Sequence, residues 1–532
     1  MSVIGIDLGG AYSVIAQAQK GGIKTVLNGA SQRRSSTLVS ISGKERALAA
    51  NADTMIKSNY KNTVWYINRL IGRKLGLPDT EKELSLLPYA KMFSESKKTP
   101  GELVATLQVD GEDEEFTATQ LLAMLIGQLQ RDAIADTPGV KTSDVVISVP
   151  AWFTDAQRHE VLAACEIANV ACLGVMSDTT AVALNYGIWK NQRKAFDGQE
   201  NFYTMFINCG ATQYTVSIVH FKTGTMRVLS TTHDRFLGGR IIDIAIANKL
   251  VAEFKAKTGL DASREANPKA YIKLLIAAGK AKKNLAGGIP SVKINVECLM
   301  NDRDLVNVTL TREELEEICA PLADRMIVPI QQALNEVGIQ NSDLKSIEAT
   351  GGAMRMAQFK KKIGGFFGLE PVEPNYGLMT TMDMDESAGH GCALQCAMIS
   401  PKFNVKAFEI QHGTQYPITI SWDQPDVVEA ADENKMEVEE EDGGAGVESK
   451  GVNSLTLFSK NGISGTRKIN FRRNKVSIKH IDIQNIDIHT DRHTDIPIDR
   501  HKQIHIHIIN FMCFYVFTCD ITYSTPCVRA LV

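Results

Sequence analysis

Residues 3–14 and 205–216 follow one plan, and that repetition limits what the chain can fold into more than any other feature. The first reads Val3-Ile-Gly-Ile-Asp7-Leu-Gly9-Gly10-Ala-Tyr-Ser-Val14 and the second Met205-Phe-Ile-Asn208-Cys-Gly210-Ala-Thr-Gln-Tyr-Thr-Val216. Each is an apolar strand, a glycine turn and a second strand, with a polar side chain ending the first strand and a glycine two residues on. Glycine in such a turn lets backbone N–H groups approach phosphate oxygens, because no Cβ stands in the way. A carboxylate at the strand end is placed to hold the waters of a Mg²⁺ ion. A single hairpin of this kind is common, but two in register, one in each half, point to a duplication.

A third segment, Ala349-Thr-Gly351-Gly352-Ala-Met-Arg355, follows the apolar-rich Leu344-Lys-Ser-Ile-Glu348. Its paired glycines let main chain pass flat against a nucleotide, and Arg355 can stack on an adenine. Between these landmarks the helix starts are marked by capping boxes and hydrophobic staples. Thr117 and Gln120 are flanked by Phe116 and Leu121, and Thr311 and Glu314 by Leu310 and Leu315. Thr154 and Gln157 open another helix just after the apolar Val145–Val149. Strands feeding capped helices make an α/β architecture. With the three segments in this order, the expected fold is the duplicated actin-like (ribonuclease H-like) ATPase, whose two lobes hold a nucleotide between them.

The composition supports a large buried core: 44% of 532 residues are apolar and 22% charged. A net charge of −3 argues against a nucleic-acid binder. The ten cysteines form no metal pattern and read as small buried hydrophobes. Met1 leads straight into a strand with no signal peptide, and the longest apolar stretch, Ile508–Phe517, is too short to span a bilayer. The expectation is a cytoplasmic protein, with the nucleus left open and no membrane partner.

The text is even and globular over residues 1–401, the expected nucleotide-binding domain, and a linker is expected over 402–413. Period-two alternation in Tyr416–Trp422, Ser454–Phe458 and Lys468–Phe471 predicts a partial β-sandwich domain over 414–473. Its insert, 433–448, is acidic (Glu437, Glu439, Glu440, Glu441, Asp442) and reads as a solvated loop. Residues 474–532 form a low-complexity tail. Six of the eleven histidines fall between His480 and His507, among Ile, Asp, Thr and Arg. Metal binding is one use of such a tract; a translated short nucleotide repeat also gives such few-letter text, and no fold is expected there.

In chain order, Ile6-Asp7-Leu8-Gly9, Val149-Pro150-Ala-Trp-Phe-Thr-Asp-Ala-Gln-Arg158, Phe236-Leu237-Gly238-Gly239 and Gly351-Gly352 resemble the ATPase domain of the heat-shock protein 70 family, and the resemblance covers about Gly5–Pro401. Ser177–Lys190, Gly391–Pro401, Gly21–Thr25 and the acidic insert are similar to its 110-kilodalton, exchange-factor branch. The resemblance implies bound ATP or ADP with Mg²⁺. Asp7 would organise the metal. Gly9 and Gly10 would line the first phosphate loop, Gly210 the second, with Gly238 and Gly239 beside the phosphates. Lys282 and Lys283 would touch the adenosine, Gly351, Gly352 and Arg355 the adenine, and Asp385 the far side of the sugar. Pro150 and Arg158 would relay nucleotide state toward the interdomain linker.

The same resemblance exposes departures. Asn68 stands in Tyr66-Ile-Asn68-Arg-Leu-Ile-Gly72 where the family has a catalytic lysine; Asn208 and Thr215 replace aspartates; Asp178 replaces a glutamate beside the metal; Gly279 replaces the ribose carboxylate. Catalysis of phosphoryl transfer lies in charge placement, so each lost charge costs ~2–4 kcal/mol of barrier, roughly 10²–10³ in rate. No intact catalytic set is therefore expected. The expected function is an ATP-binding chaperone or co-chaperone, a nucleotide exchange factor for a 70-kilodalton heat-shock chaperone, with unfolded polypeptides as further partners. An ATP-hydrolysing foldase and a pseudo-ATPase binding module are the alternatives.

Overall fold

A strand covered on both faces reads as a nearly continuous apolar run, and Ser2–Asp7 does so, with Val3, Ile4 and Ile6 fully buried. The computed structural model describes residues 2–19, 21–136, 142–406, 408–414 and 416–422, then 437–439, 454–458, 460–462, 466–471, 478–483, 504–511, 514–521 and 528–531. Two units are distinguishable. The first takes Met1–Trp152, Gln157–Met226 and Ser230–Glu409; the second takes Phe153–Ala156, Arg227–Leu229 and Ile410–Val532. The later break, at Glu409, falls within residues 402–413.

The first unit is built twice on one pattern, which is the actin-like, two-lobed architecture expected. Ser2–Asp7 pairs antiparallel with Tyr12–Gln19 on one side and parallel with Thr142–Val149 on the other. Ala171–Ser177 continues the sheet beyond Thr142–Val149, and Gly22–Thr25 continues it beyond Tyr12–Gln19. In the second half Phe202–Cys209 takes the central place, antiparallel to Tyr214–Lys222 and parallel to Leu344–Thr350. The registers match: Asp7 lies between Val14 and Ser148, and Asn208 between Thr215 and Thr350.

The helices begin where their caps place them. At Ala118–Asp136, Thr117 Oγ1 accepts from the N–H of Gln120 at 3.2 Å while Gln120 Oε1 accepts from the N–H of Thr117 at 2.9 Å. Thr311 and Glu314 form the same reciprocal pair ahead of Arg312–Val337, at 3.3 and 3.0 Å. Among the described residues no helix is long and apolar enough to cross a membrane.

Two helices cross between the halves. Asp178–Gln192 lays Tyr186 against Phe206 and Phe221 of the second sheet, with ring centroids 5.3 and 5.5 Å apart. Ser387–Ile399 lies on the first sheet so closely that a Cβ on Gly5 would stand 2.1 Å from the Ala393 nitrogen. Where the helices meet, a Cβ on Gly391 would stand 1.9 Å from the Ala181 carbonyl oxygen. Only glycine permits that approach.

In the second unit, Ile418–Trp422 pairs antiparallel with Ser454–Phe458 and with Ile478–Ile483. A second sheet runs Glu437–Glu439, Thr466–Phe471, Ile504–Phe511, Phe514–Ile521, Val528–Leu531. Most of the acidic insert 433–448 lies outside the described residues, as do His489, His493 and His501. The described parts of 474–532 are strands. Alternation such as Ile504-His-Ile-His-Ile508 supplies the local period that a strand requires.

Candidate functional site

The paired sheets direct their glycine turns into one cleft of about 1130 Å³ within the first unit. The turns are locked to each other. A Cβ on Gly9 would meet the Tyr12 carbonyl oxygen at 2.2 Å, and one on Gly10 the Thr212 hydroxyl of the opposite turn at 2.2 Å. Gly210 donates its N–H to Gln213 O at 3.0 Å, and the Gly238–Arg240 turn rests on it. There the N–H of Gly239 reaches Gly210 O at 3.0 Å and that of Arg240 reaches Ala211 O at 2.7 Å. This layered main chain is the surface that phosphate oxygens require.

Charge in the cleft begins with two carboxylates, Asp178 buried and Asp7 half-buried. Asp7 accepts from Ser148 Oγ at 2.6 Å. Burial pushes its carboxyl up to about 7; Ser148 opposes that rise, and Asp178 and Asp385 add to it. Asp178 opens the helix Asp178–Gln192 and accepts from the N–H of Thr179 at 2.7 Å, Gln213 Nε2 at 2.8 Å and Asn208 Nδ2 at 3.2 Å. Burial raises it to about 6, against those hydrogen bonds. Gln213 is itself held by Trp152, whose Nε1 donates to Gln213 Oε1 at 3.0 Å. Asn208 therefore puts a donor where a third carboxylate would repel the other two. Asn68, 1% exposed, donates from Nδ2 to Leu8 O at 3.0 Å, and its Oδ1 has no partner among the described residues.

Basic side chains line the rest of the cleft. Arg355 forks onto Asp385, with Nη1–Oδ1 at 3.2 Å and Nη2–Oδ2 at 2.7 Å, and Arg34 stands 3.5 Å from the same carboxylate. Gly351 has a φ of +86°, and a Cβ there would meet Cys209 O at 2.3 Å. Lys282 and Lys283, adjacent on Pro268–Ala286, do different things. Lys282 Nζ donates to Gly239 O at 2.8 Å and pairs with Asp243 at 2.7 Å. Lys283 Nζ reaches the Tyr12 hydroxyl at 3.3 Å. Beside Gly279 stands Asp243, 3.5 Å from where a Cβ would be.

Of the residues singled out in the sequence, the cleft brings together Asp7, Gly9, Gly10, Asn68, Pro150, Asp178, Asn208 and Gly210 around the turns. It adds Gly239, Lys282, Lys283, Gly351, Gly352, Arg355 and Asp385 along its length. Three stand apart from the lining. Gly238 packs on Ala211 behind the turn, and Arg158, 4% exposed, donates from Nη2 to Ser177 Oγ at 3.1 Å. Thr215 is buried opposite Asn208 and also outside the lining. The sequence reading missed Tyr66, Gln213, Arg240 and Asp243, which line the cleft. Three of them carried a signal: Arg240 directly follows the glycine pair, Gln213 lies in the second hairpin segment, and Tyr66 opens the Tyr66–Gly72 segment.

Neither Asp7 nor Asp178 is paired with a basic side chain among the described residues, so the donor set suits a cation. No group of three or more His, Cys, Asp or Glu that could hold a metal occurs among those residues. A hard cation here would keep most of its waters and take phosphate oxygens as ligands, which fits Mg²⁺ with a nucleotide.

Residues 3–440 match the family model described as Hsp70 protein. The chain is 38% identical over 424 residues to "Heat shock protein hsp88" of Neurospora crassa, covering 80% of this chain and 57% of that protein. It is 35% identical over 422 residues to the "97 kDa heat shock protein" of Strongylocentrotus purpuratus, covering 79% and 46%. It is 36% identical over 427 residues to "Heat shock 70 kDa protein 4" of Homo sapiens, covering 80% and 49%. The chain thus spans about half the length of the curated relatives it matches.

Proposed function

This chain belongs to the Hsp70 protein family and fits its 110-kilodalton branch, and on that footing we propose that it is an ATP-binding co-chaperone that promotes nucleotide exchange on a 70-kilodalton heat-shock chaperone. One observation carries the proposal: the cleft keeps its interlocked glycine turns and the carboxylates of Asp7 and Asp178, yet has amides at Asn68 and Asn208. Such a site holds a nucleotide without the charges that speed its hydrolysis.

The residues divide the work as follows. Asp7 and Asp178 would hold Mg²⁺ through its waters, and the ion would supply charge neutralisation on the phosphate oxygens. Main-chain N–H groups of the Gly9–Gly10 and Gly210 turns take those oxygens from both halves. Gly351, Gly352 and Arg355, steadied by Asp385, take the adenine end. A ligand at 100 times its dissociation constant stabilises the conformer that binds it by ~2.7 kcal/mol. The product of binding is then a fixed two-lobed shape that a partner docks on, and slow hydrolysis prolongs it. Unfolded polypeptides as clients and the cytoplasm as location belong to the same proposal.

Release of labelled ADP from a 70-kilodalton heat-shock chaperone tests it. Release is expected to accelerate with this chain plus ATP, and far less with the nucleotide-free chain. No acceleration at saturating protein and ATP would end the exchange-factor proposal.

A further inference from the structure

A buried guanidinium in the cleft shares its one carboxylate partner with a second guanidinium. Arg240, 2% exposed, stands in the first turn of Gly239–Thr258 and lines the cleft. Its Nη1 donates to Glu83 Oε1 at 2.5 Å, and its guanidinium carbon lies 4.9 Å from the centre of the Tyr66 ring. Glu83 is already engaged, accepting from Arg69 Nε at 3.0 Å and Nη2 at 2.8 Å. Two buried guanidiniums therefore share one buried carboxylate. Arg69 has further support from Arg235 O at 2.7 Å and from the face of Trp152 at 4.6 Å. Arg240 has none on its other edge, since Nε and Nη2 are without a hydrogen-bond partner among the described residues.

That edge is a particular shape. Nε–H and Nη2–H point the same way and form the side-on fork that matches two oxygens of a carboxylate or phosphate. Its placement also favours an anion. The Arg240 N–H is tied to Ala211 O of the second glycine turn at 2.7 Å. The guanidinium lies over the ring of Tyr66, which lines the cleft as Arg240 and Asn68 do. Arg240 also belongs to the first turn of a 20-residue helix, where backbone N–H groups and the helix dipole favour negative charge.

We propose that Arg240 grips the terminal phosphate of the bound nucleotide through Nε and Nη2, and so makes the cleft prefer a nucleoside triphosphate to a diphosphate. The inference rests on the nucleotide-binding role proposed above and adds to it the residue that senses the third phosphate. A guanidinium anchored by Glu83 serves recognition, which suits a site that binds without turning over.

Calorimetric titration of the full chain with ATP and with ADP, each with Mg²⁺, tests this. The native chain is expected to favour ATP. Arg240→Gln is expected to weaken ATP by about 30-fold or more, as when a buried charged partner is removed, and ADP by less than about threefold. Arg240→Lys, which keeps the charge and loses the fork, falls between, and Asn68→Lys added to Arg240→Gln recovers the preference for ATP. Equal losses for ATP and ADP would overturn the proposal, leaving Arg240 a support for Glu83. A native chain that binds the two equally would overturn it while leaving the nucleotide site standing; one that binds neither removes both. A second measurement needs no variant: tripolyphosphate with Mg²⁺ is expected to raise the native melting temperature more than pyrophosphate does, and equal shifts would count against Arg240.

Discussion

The two glycine hairpins have the same strand neighbours and register but opposite electrostatics. Asp7 and Asn208 hold equivalent places, each flanked by an antiparallel partner and a parallel strand. Asp7 is an acceptor, receiving the Ser148 hydroxyl at 2.6 Å. Asn208 is a donor, giving its amide to Asp178 at 3.2 Å. Backbone shape and charge are thus separable parts of a phosphate site. The first hairpin keeps both, and the second keeps the shape while its amide relieves the crowding of acidic groups. The two hairpins share a backbone and differ in charge.

The largest expected effect comes from making the second hairpin like the first. Asn208→Asp together with Asn68→Lys is expected to raise turnover by roughly 10²–10³, and by more than either change alone, because groups serving one transition state act as a unit. Phosphate release measures it, and ready hydrolysis by the native chain would break the contrast between hairpins. The reverse change, Asp7→Asn, is expected to weaken ATP by about tenfold or more and to abolish the effect of Mg²⁺ on binding. Titrations with and without the metal decide; affinity that ignores both the metal and Asp7 would show that the first hairpin holds no cation. The smallest effect separates the turns themselves. Gly9→Ala drives a Cβ to 2.2 Å from Tyr12 O, whereas at Gly210 the nearest atom beyond its chain neighbours is Gln213 O, 3.9 Å away. Urea unfolding is expected to show a cost of about 1–3 kcal/mol for Gly9→Ala and within about 0.5 kcal/mol for Gly210→Ala. Equal costs would mean that the turns are packed alike.

Local patterns carried most of the fold to the reader of the sequence. The hairpins, the Gly351–Gly352 turn and the caps at Thr117 and Thr311 are written in neighbouring residues, and each is where the pattern puts it. What escaped depends on residues far apart in the chain. Glu83 meets Arg240 across 157 positions, and Gln213 meets Trp152 across 61. No periodicity announces such pairs, because an isolated Arg or Glu in sequence reads as surface. Lys282 and Lys283 looked equivalent for a related reason: adjacency in sequence hid that helical geometry turns one toward Asp243 and the other toward Tyr12.

The crossing of Asp178–Gln192 and Ser387–Ile399 works like the rivet of a pair of scissors. Each helix lies on the sheet of one half, and at Gly391 and Ala181 they touch with no side chain from Gly391 between them. A contact that tight resists sliding of one helix over the other, and the Gly10–Thr212 contact pins the same two halves a second time, at the nucleotide turns. A methyl in place of the Gly391 hydrogen would have to push the two helices, and the sheets they lie on, apart.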